Sequence, residues 1–329
     1  MLSGKKVLIT GAGGFIGSHL VEETLNVGAR VSALVKYNSR NEWGNLELLS
    51  EQAKNSIEVI LGDIRDPYFV EKTVKGCHVI FHLAALIGIP YSYRSPESYV
   101  DTNIKGTLNI LEASLKAGVE KVVQTSTSET YGTALYTPID ENHPLQGQSP
   151  YSATKIAADM LAESYGRSFG LPVTIIRPFN TYGPRQSARA VIPTVATQVL
   201  SGRKKIKLGS LAPVRDLTFV KDTVRGFVNI AKNERAVGET INVGYGKGIN
   251  IRELAKLISK LAGISPEIVE DASRTRPKDS EVMALICNNS KAKKLIDWEP
   301  LTSLTDGLLS TMEFIEGNLN HYKIDMYNI

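Results

Sequence analysis

Val7-Leu8-Ile9-Thr10-Gly11-Ala12-Gly13-Gly14-Phe15-Ile16-Gly17 runs from a short apolar stretch straight into a glycine cluster, and a helical pattern, Ile16 to Asn26, follows. A strand that turns through glycines into a helix leaves the first helical N–H groups and the positive end of the helix dipole open to an anion. The glycines serve a tight turn, a close approach of backbone to a pyrophosphate, and close helix–strand packing. A tight turn without a ligand is the plainer reading, but the strand–turn–helix context favours the phosphate cradle. Gly11, Gly13, Gly14, Phe15, Ile16 and Gly17 are therefore candidate dinucleotide-binding residues.

Working outward, Arg30–Val35, Glu58–Leu61, Val79–Leu83, Lys121–Thr125 and Val173–Arg177 read as buried strands, too short for helices and rich in Val and Ile. Helical patterns such as Asn103–Ala117 and Ser152–Phe169 lie between them. Strand–helix alternation predicts an α/β fold, a doubly wound parallel sheet with helices on both faces. After Pro178 Gly, Pro and Arg become frequent, and Ile251–Leu261, Ser290–Ile296 and Ser303–Gly317 read as helices. The expected division is a dinucleotide-binding domain over 1–179, to which 217–245 return, and a smaller mixed α/β substrate-binding lobe from 180–216 and 246–329.

Composition narrows the function. The 329 residues are 42% apolar and 22% charged, as in an ordinary globular protein. A net charge of +4 is too thin for a general nucleic-acid binder but suits an anionic small molecule. Cys77 and Cys287 exclude a disulfide framework and suggest a reducing compartment. No segment reaches the roughly 20 apolar residues of a membrane helix. The strand at Lys5–Thr10 leaves no room for a signal peptide, so a cytoplasmic location is expected.

The end of the second strand departs from the dinucleotide fingerprint, which places an acidic residue there for the ribose hydroxyls. This chain has Val35-Lys36-Tyr37, and Lys36 or Arg40 could meet a 2′-phosphate, leaving NAD and NADP both open. Asp63, after the third strand, either accepts from an adenine amino group or caps a helix.

Two segments carry chemistry. Thr125-Ser126-Thr127-Ser128-Glu129 stands at the C-terminal end of a strand, where doubly wound sheets bind ligands. Tyr151 and Lys155 are four apart at the start of a helix and so share one face. A Lys ammonium favours a neighbouring phenolate; moving a Tyr from about 10 toward 7 requires about 4 kcal/mol of differential stabilisation.

Together the glycine cradle, Phe81-His82-Leu83-Ala84-Ala85, Thr127-Ser128-Glu129, Tyr151…Lys155 and Arg177-Pro178-Phe179-Asn180 resemble the extended short-chain dehydrogenase/reductases with their Rossmann-like fold. Within that superfamily they are similar to the nucleotide-sugar epimerases and 4,6-dehydratases. More narrowly, Tyr37–Gly44, Gln146–Ser152 and Gly183–Ala190 resemble the NAD-dependent N-acetylhexosamine 4,6-dehydratases of legionaminic acid biosynthesis. The resemblance implies a tightly held, regenerated NAD contacted also by Ile64, Leu83, Ala84, Ala85, Thr125 and Pro178. It implies an NDP-hexose, NDP-N-acetylglucosamine foremost, oxidised at C4 by Tyr151 with Thr127 and Lys155 assisting. Glu129 would abstract the C5 proton, water would leave from C5/C6, and hydride would return to C6.

One departure stands out: glucose-type dehydratases carry Asp-Glu after the catalytic Thr, whereas Ser128 fills the acid position here. Thr-Ser-Glu also occurs in UDP-glucuronate decarboxylases, and 4-epimerases share the fold. By position in the family pattern, Asn180, Arg215 and Arg276 are expected at the substrate diphosphate, with Arg185 and Arg189 near the base or sugar. The five histidines form no metal spacing, and His78 and His82 read as core or edge residues. Helices Asn103–Ala117 and Ser152–Phe169 either form a four-helix homodimer interface, as in the family, or pack as ordinary core.

Overall fold

A computed structural model describes residues 2–275, 277–324 and 326. Strands β1 (Lys6–Thr10), β2 (Arg30–Lys36), β3 (Ile57–Gly62), β4 (Val79–His82), β5 (Lys121–Thr125) and β6 (Val173–Pro178) are joined by Thr240–Val243 in one seven-stranded sheet. Counting onward through β7 (Asn180–Tyr182), β8 (Lys205–Leu208) and β9 (Val214–Phe219) makes that last strand β10. The order is β10-β6-β5-β4-β1-β2-β3, with every pairing parallel. The chain winds outward from β1 through β2 and β3, then restarts at β4 on the other side. The crevice lies at that reversal, above the C-terminal ends of the strands.

Alternate residues show why both faces are covered. Val7 and Ile9 of β1, with Val79 and Phe81 of β4, pack against Leu20, Val224 and Phe227 on one face. Leu8 and Ile80 point the other way, toward Val70, Ile110, Leu111 and Ala162. Each such fully buried side chain is worth about 1.5–3 kcal/mol over leaving it exposed. The helices responsible are Phe15–Asn26 and Val220–Lys232 on the first face, and Pro67–Val74, Gly106–Ala117 and Pro150–Phe169 on the second.

The smaller lobe is a second sheet in which β9 pairs with β7, with β11 (Gly248–Asn250) and with β13 (Ala284–Leu285); β8 pairs with β12 (Glu267–Glu270). Its core gathers Tyr182, Val195, Leu208, Phe219, Leu254 and Leu308.

Two expected boundaries move. The return to the large sheet begins at Val220 rather than residue 217, because Leu217, Thr218 and Phe219 are held in register with β7. Residues 290–298, expected in the smaller lobe, instead put Ala292, Ile296 and Trp298 into the core of the large sheet, and the Trp298 indole donates to Asp222 O at 2.8 Å. The helix expected from Asn103 opens with a π-helical turn, Val100–Lys105. There Asn103 turns its amide to Leu86 N, Leu86 O and Thr154 Oγ1, tying down the loop after β4. Among the described residues no helix is long and apolar enough to cross a membrane.

Candidate active site

The glycine cradle has no room for side chains. Gly11 has φ +69°, and a Cβ there would lie 2.8 Å from Ala84 N; at Gly17 a Cβ would lie 2.2 Å from Gly11 O. Helix Phe15–Asn26 begins at Gly14 with no side-chain cap, so Phe15 and Ile16 present first-turn N–H groups to the crevice. Gly13 is covered by the Trp43 carbonyl and bonded through its own oxygen to Asn45 N at 2.9 Å.

Below the cradle, Thr10 Oγ1 accepts from Leu83 N and Ala84 N, both at 3.1 Å, and donates to His82 Nδ1 at 2.7 Å. His82 Nε2–H then donates to Thr107 Oγ1, whose own proton goes to Asn103 O. His82 is thus a neutral core residue, pushed down to about 3 by burial and then by the Lys155 charge. It fixes the half-buried Leu83-Ala84-Ala85 backbone beside Gly11. Thr10 and His82 escaped the sequence reading as organisers of the site; only their tertiary partners reveal the role.

Lys36 lies exposed at the end of β2. Arg40, 81% exposed at its side chain, turns toward Glu42 at 3.5 Å. Asp63 is not a helix cap: that role belongs to Asp66, which accepts from Tyr68 N and Phe69 N. Asp63 instead receives the Arg65 fork at 2.6 and 3.0 Å, which holds its carboxyl below the usual range. Ile64 beside it is buried, and its carbonyl accepts from Asn109.

At the other side of the reversal, Thr127 starts a 3₁₀ turn, Ser128–Tyr131, and accepts from Glu129 N at 3.3 Å. Helix Pro150–Phe169 starts at a reciprocal Ser149/Ser152 capping box, with Pro150 in its first turn. That start fixes Tyr151 one residue into the helix. Ser128, Glu129, Tyr151 and Lys155 are all buried. The Tyr151 hydroxyl is pushed up from its ordinary value by burial; a hydrogen bond from Thr127 opposes this, and the Glu129 carboxylate adds to it. The Lys155 ammonium, one turn along the helix, donates to the Thr125 carbonyl. Tyr99 packs edge-on against Tyr151 at 6.3 Å between centroids.

Thr125 Oγ1 and Asn180 Oδ1 are buried without a hydrogen-bond partner. Together with a cradle that no Cβ could enter, such unsatisfied polar atoms suit a dinucleotide and a further polar ligand. Pro178 is buried at the end of β6. Arg215 is buried against Glu281 at 3.2 Å and donates to Val214 O. Arg189 is exposed, its Nη1 3.2 Å from where a Cβ on Gly88 would stand. The Arg185 guanidinium forks onto Glu22 at 2.8 and 3.0 Å, tying the loop after β7 to the cradle helix. Arg276 lies outside the described residues. Among the described residues no cluster of three or more metal-ligating side chains forms.

A family model described as GDP-mannose 4,6 dehydratase matches residues 8–311. The chain belongs to that family. Within it, the chain is 30% identical over 319 residues to a dTDP-glucose 4,6-dehydratase of Streptomyces antibioticus, covering 95% of this chain and 92% of that one. It is 33% identical over 315 residues to a UDP-glucose 4-epimerase of Mycolicibacterium smegmatis, covering 94% and 98%. The dTDP-glucose 4,6-dehydratase DesIV of Streptomyces venezuelae, solved with NAD bound, superposes with a TM-score of 0.86 at 30% identity over 97% of this chain and 99% of that one. This member of the GDP-mannose 4,6 dehydratase family is therefore an enzyme on a nucleotide-sugar dehydratase and epimerase scaffold.

Proposed function

We propose that the protein is an NAD-dependent nucleotide-sugar 4,6-dehydratase, acting on an NDP-N-acetylglucosamine as the legionaminic-type resemblance suggests. Glu129 carries this reading: a carboxylate buried in the site beside Tyr151. Inverting C4 requires only that hydride leave and return, whereas elimination across C5 and C6 requires a base for the C5 proton. Gly11, Gly13, Gly14, Phe15, Ile16 and Gly17 would hold the cofactor pyrophosphate, Asp63 and Ile64 its adenosine end, and Leu83–Ala85, Thr125, Lys155 and Pro178 the nicotinamide half. NAD supplies the acceptor and later donor of hydride and, when oxidised, a positive ring that favours phenolate.

The chain's own groups move the protons. Tyr151 takes the proton of the 4-hydroxyl, with Thr127 holding the shared oxygen. The ketone at C4 acidifies C5–H, which passes to Glu129 and on to the departing C6 oxygen, so that water leaves. One proton released from Tyr151 balances the one finally gained at C5, and the product is a 4-keto-6-deoxy sugar. Asn180, Arg189, Arg215 and Arg276 would bind the diphosphate and sugar. Helices Gly106–Ala117 and Pro150–Phe169, which expose Met160 and Phe169, would form a homodimer interface.

A second reading rests on Ser128, buried where a dehydratase acid would stand: a 4-epimerase, or a UDP-glucuronate decarboxylase. Mass spectrometry of products from a panel of NDP-hexoses separates them. Loss of one water supports the dehydratase; unchanged mass with an inverted C4 supports the epimerase, and release of carbon dioxide the decarboxylase.

A further inference from the structure

Asp159 lies one turn beyond Lys155 and two beyond Tyr151 on the same face of helix Pro150–Phe169, and it is fully buried. Its Oδ2 accepts from Ser126 Oγ at 2.5 Å and from Arg177 Nη2 at 2.9 Å, while Oδ1 is buried without a partner. Ser126 directly follows Thr125, whose carbonyl takes the Lys155 ammonium. The catalytic helix is therefore fastened to the end of β5 by two rungs one turn apart, Lys155 to Thr125 and Asp159 to Ser126. Arg177 closes the frame from β6: its Nη1 donates to Tyr131 Oη at 2.9 Å, and its guanidinium stacks on the Tyr131 ring at 4.8 Å. Tyr131 in turn donates to Asn242 of β10 at 2.8 Å.

We propose that Asp159 is a positioning residue: clamped by Arg177 and Ser126, it keeps the buried Lys155 ammonium charged and holds Tyr151 and Lys155 in register with Thr127 and Glu129. This rests on the assignment of Tyr151 and Lys155 as the reacting pair. The charged and titratable groups facing this cluster are Arg177 of β6, Tyr131 and Glu129 of the 3₁₀ turn, His82 of β4, and Tyr151 and Lys155 of the helix itself. Burial drives Lys155 below the ordinary lysine value and Asp159 opposes it. A charge buried alone is costly, and a fixed counter-charge one turn away offsets that cost.

Two variants test this without leaving either member of the Asp159–Arg177 pair buried alone. Asp159→Asn/Arg177→Met removes both charges of the clamp, and Asp159→Glu keeps the carboxylate. The Lys155 side-chain carbon beside the ammonium is followed by ¹³C NMR against pH, assigned with Lys155→Met, and kcat and KM are followed over the same range. In the double variant Lys155 should lose its proton at least one pH unit lower, a tenfold change in its proton affinity, and the alkaline limb of kcat should follow with KM little changed. Asp159→Glu should stay close to wild type. If Lys155 titrates identically in wild type and a folded double variant, the proposal is overturned. If the double variant fails to fold while Asp159→Glu folds with Lys155 titrating at least one unit lower, a purely structural role replaces it. The NMR titration needs no turnover, so failure of the dehydratase reading would appear separately, as absence of the keto sugar.

Discussion

Glu129→Gln isolates the elimination step from the oxidation step. The amide keeps the shape and the buried site but cannot take a proton from C5. In the proposed mechanism, oxidation at C4 calls on Tyr151, Thr127 and Lys155 but not Glu129, so reduced-nicotinamide absorbance should build up during incubation with substrate while keto-sugar release falls by about 10²–10⁴-fold. Product forming at the normal rate without that absorbance would remove Glu129 as the base. At this scale the sequence was readable where spacing fixes geometry: Tyr151 and Lys155 share a helix face because they are four apart. It was not readable where a partner comes from far along the chain. Nothing local shows that Lys155 turns to Thr125, that Arg185 is claimed by Glu22, or that Asp66 rather than Asp63 caps the next helix.

The element that places the chemistry is the first turn of helix Pro150–Phe169. Ser149 Oγ accepts from Ser152 N at 3.1 Å and Ser152 Oγ from Ser149 N at 3.0 Å, so the turn carrying Tyr151 is held at both orphan donors. Ser149→Ala should cost about 1 kcal/mol, seen as a fall of about 1–2 °C in Tm. Because the frayed turn carries Tyr151, kcat should fall more than KM rises; equal kcat would show that the helix start is set by other contacts. The strands were legible because Val and Ile runs of four to seven residues are too short for anything else. The helix start at Pro150 and the π-helical turn at Val100–Lys105 were missed by a few residues, since caps and inserted side chains, not periodicity, decide helix ends.

Across the whole molecule, two buried imidazoles tie distant parts together and weaken the folded chain as pH falls. His19 bonds Pro184 O at 3.0 Å, joining the cradle helix to the loop after β7, and burial pushes it down to about 4. His82 is pushed down to about 3. Both folded values lie below the unfolded value near 6.5, so below that pH the unfolded chain binds protons the folded chain does not. Stability should therefore fall as pH drops from about 6.5 toward 4, His19 alone accounting for about 3 kcal/mol of the loss by pH 4. Tm followed from about pH 7 down to about pH 5 should show this slope, and His82→Gln, which keeps a donor and an acceptor, should flatten it. The parallel, doubly wound character of the large sheet followed from strand–helix alternation, but the place of residues 290–298 did not, because Trp298 meeting Asp222, with Ala292 and Ile296, draws them to the large core. The central claim, that hydride leaves C4 and comes back at C6, is tested most directly with NDP-N-acetylglucosamine carrying deuterium at C4. The product should be one water lighter and carry the deuterium in its C6 methyl group. Recovery of the label at C4 in a sugar of unchanged mass would contradict it.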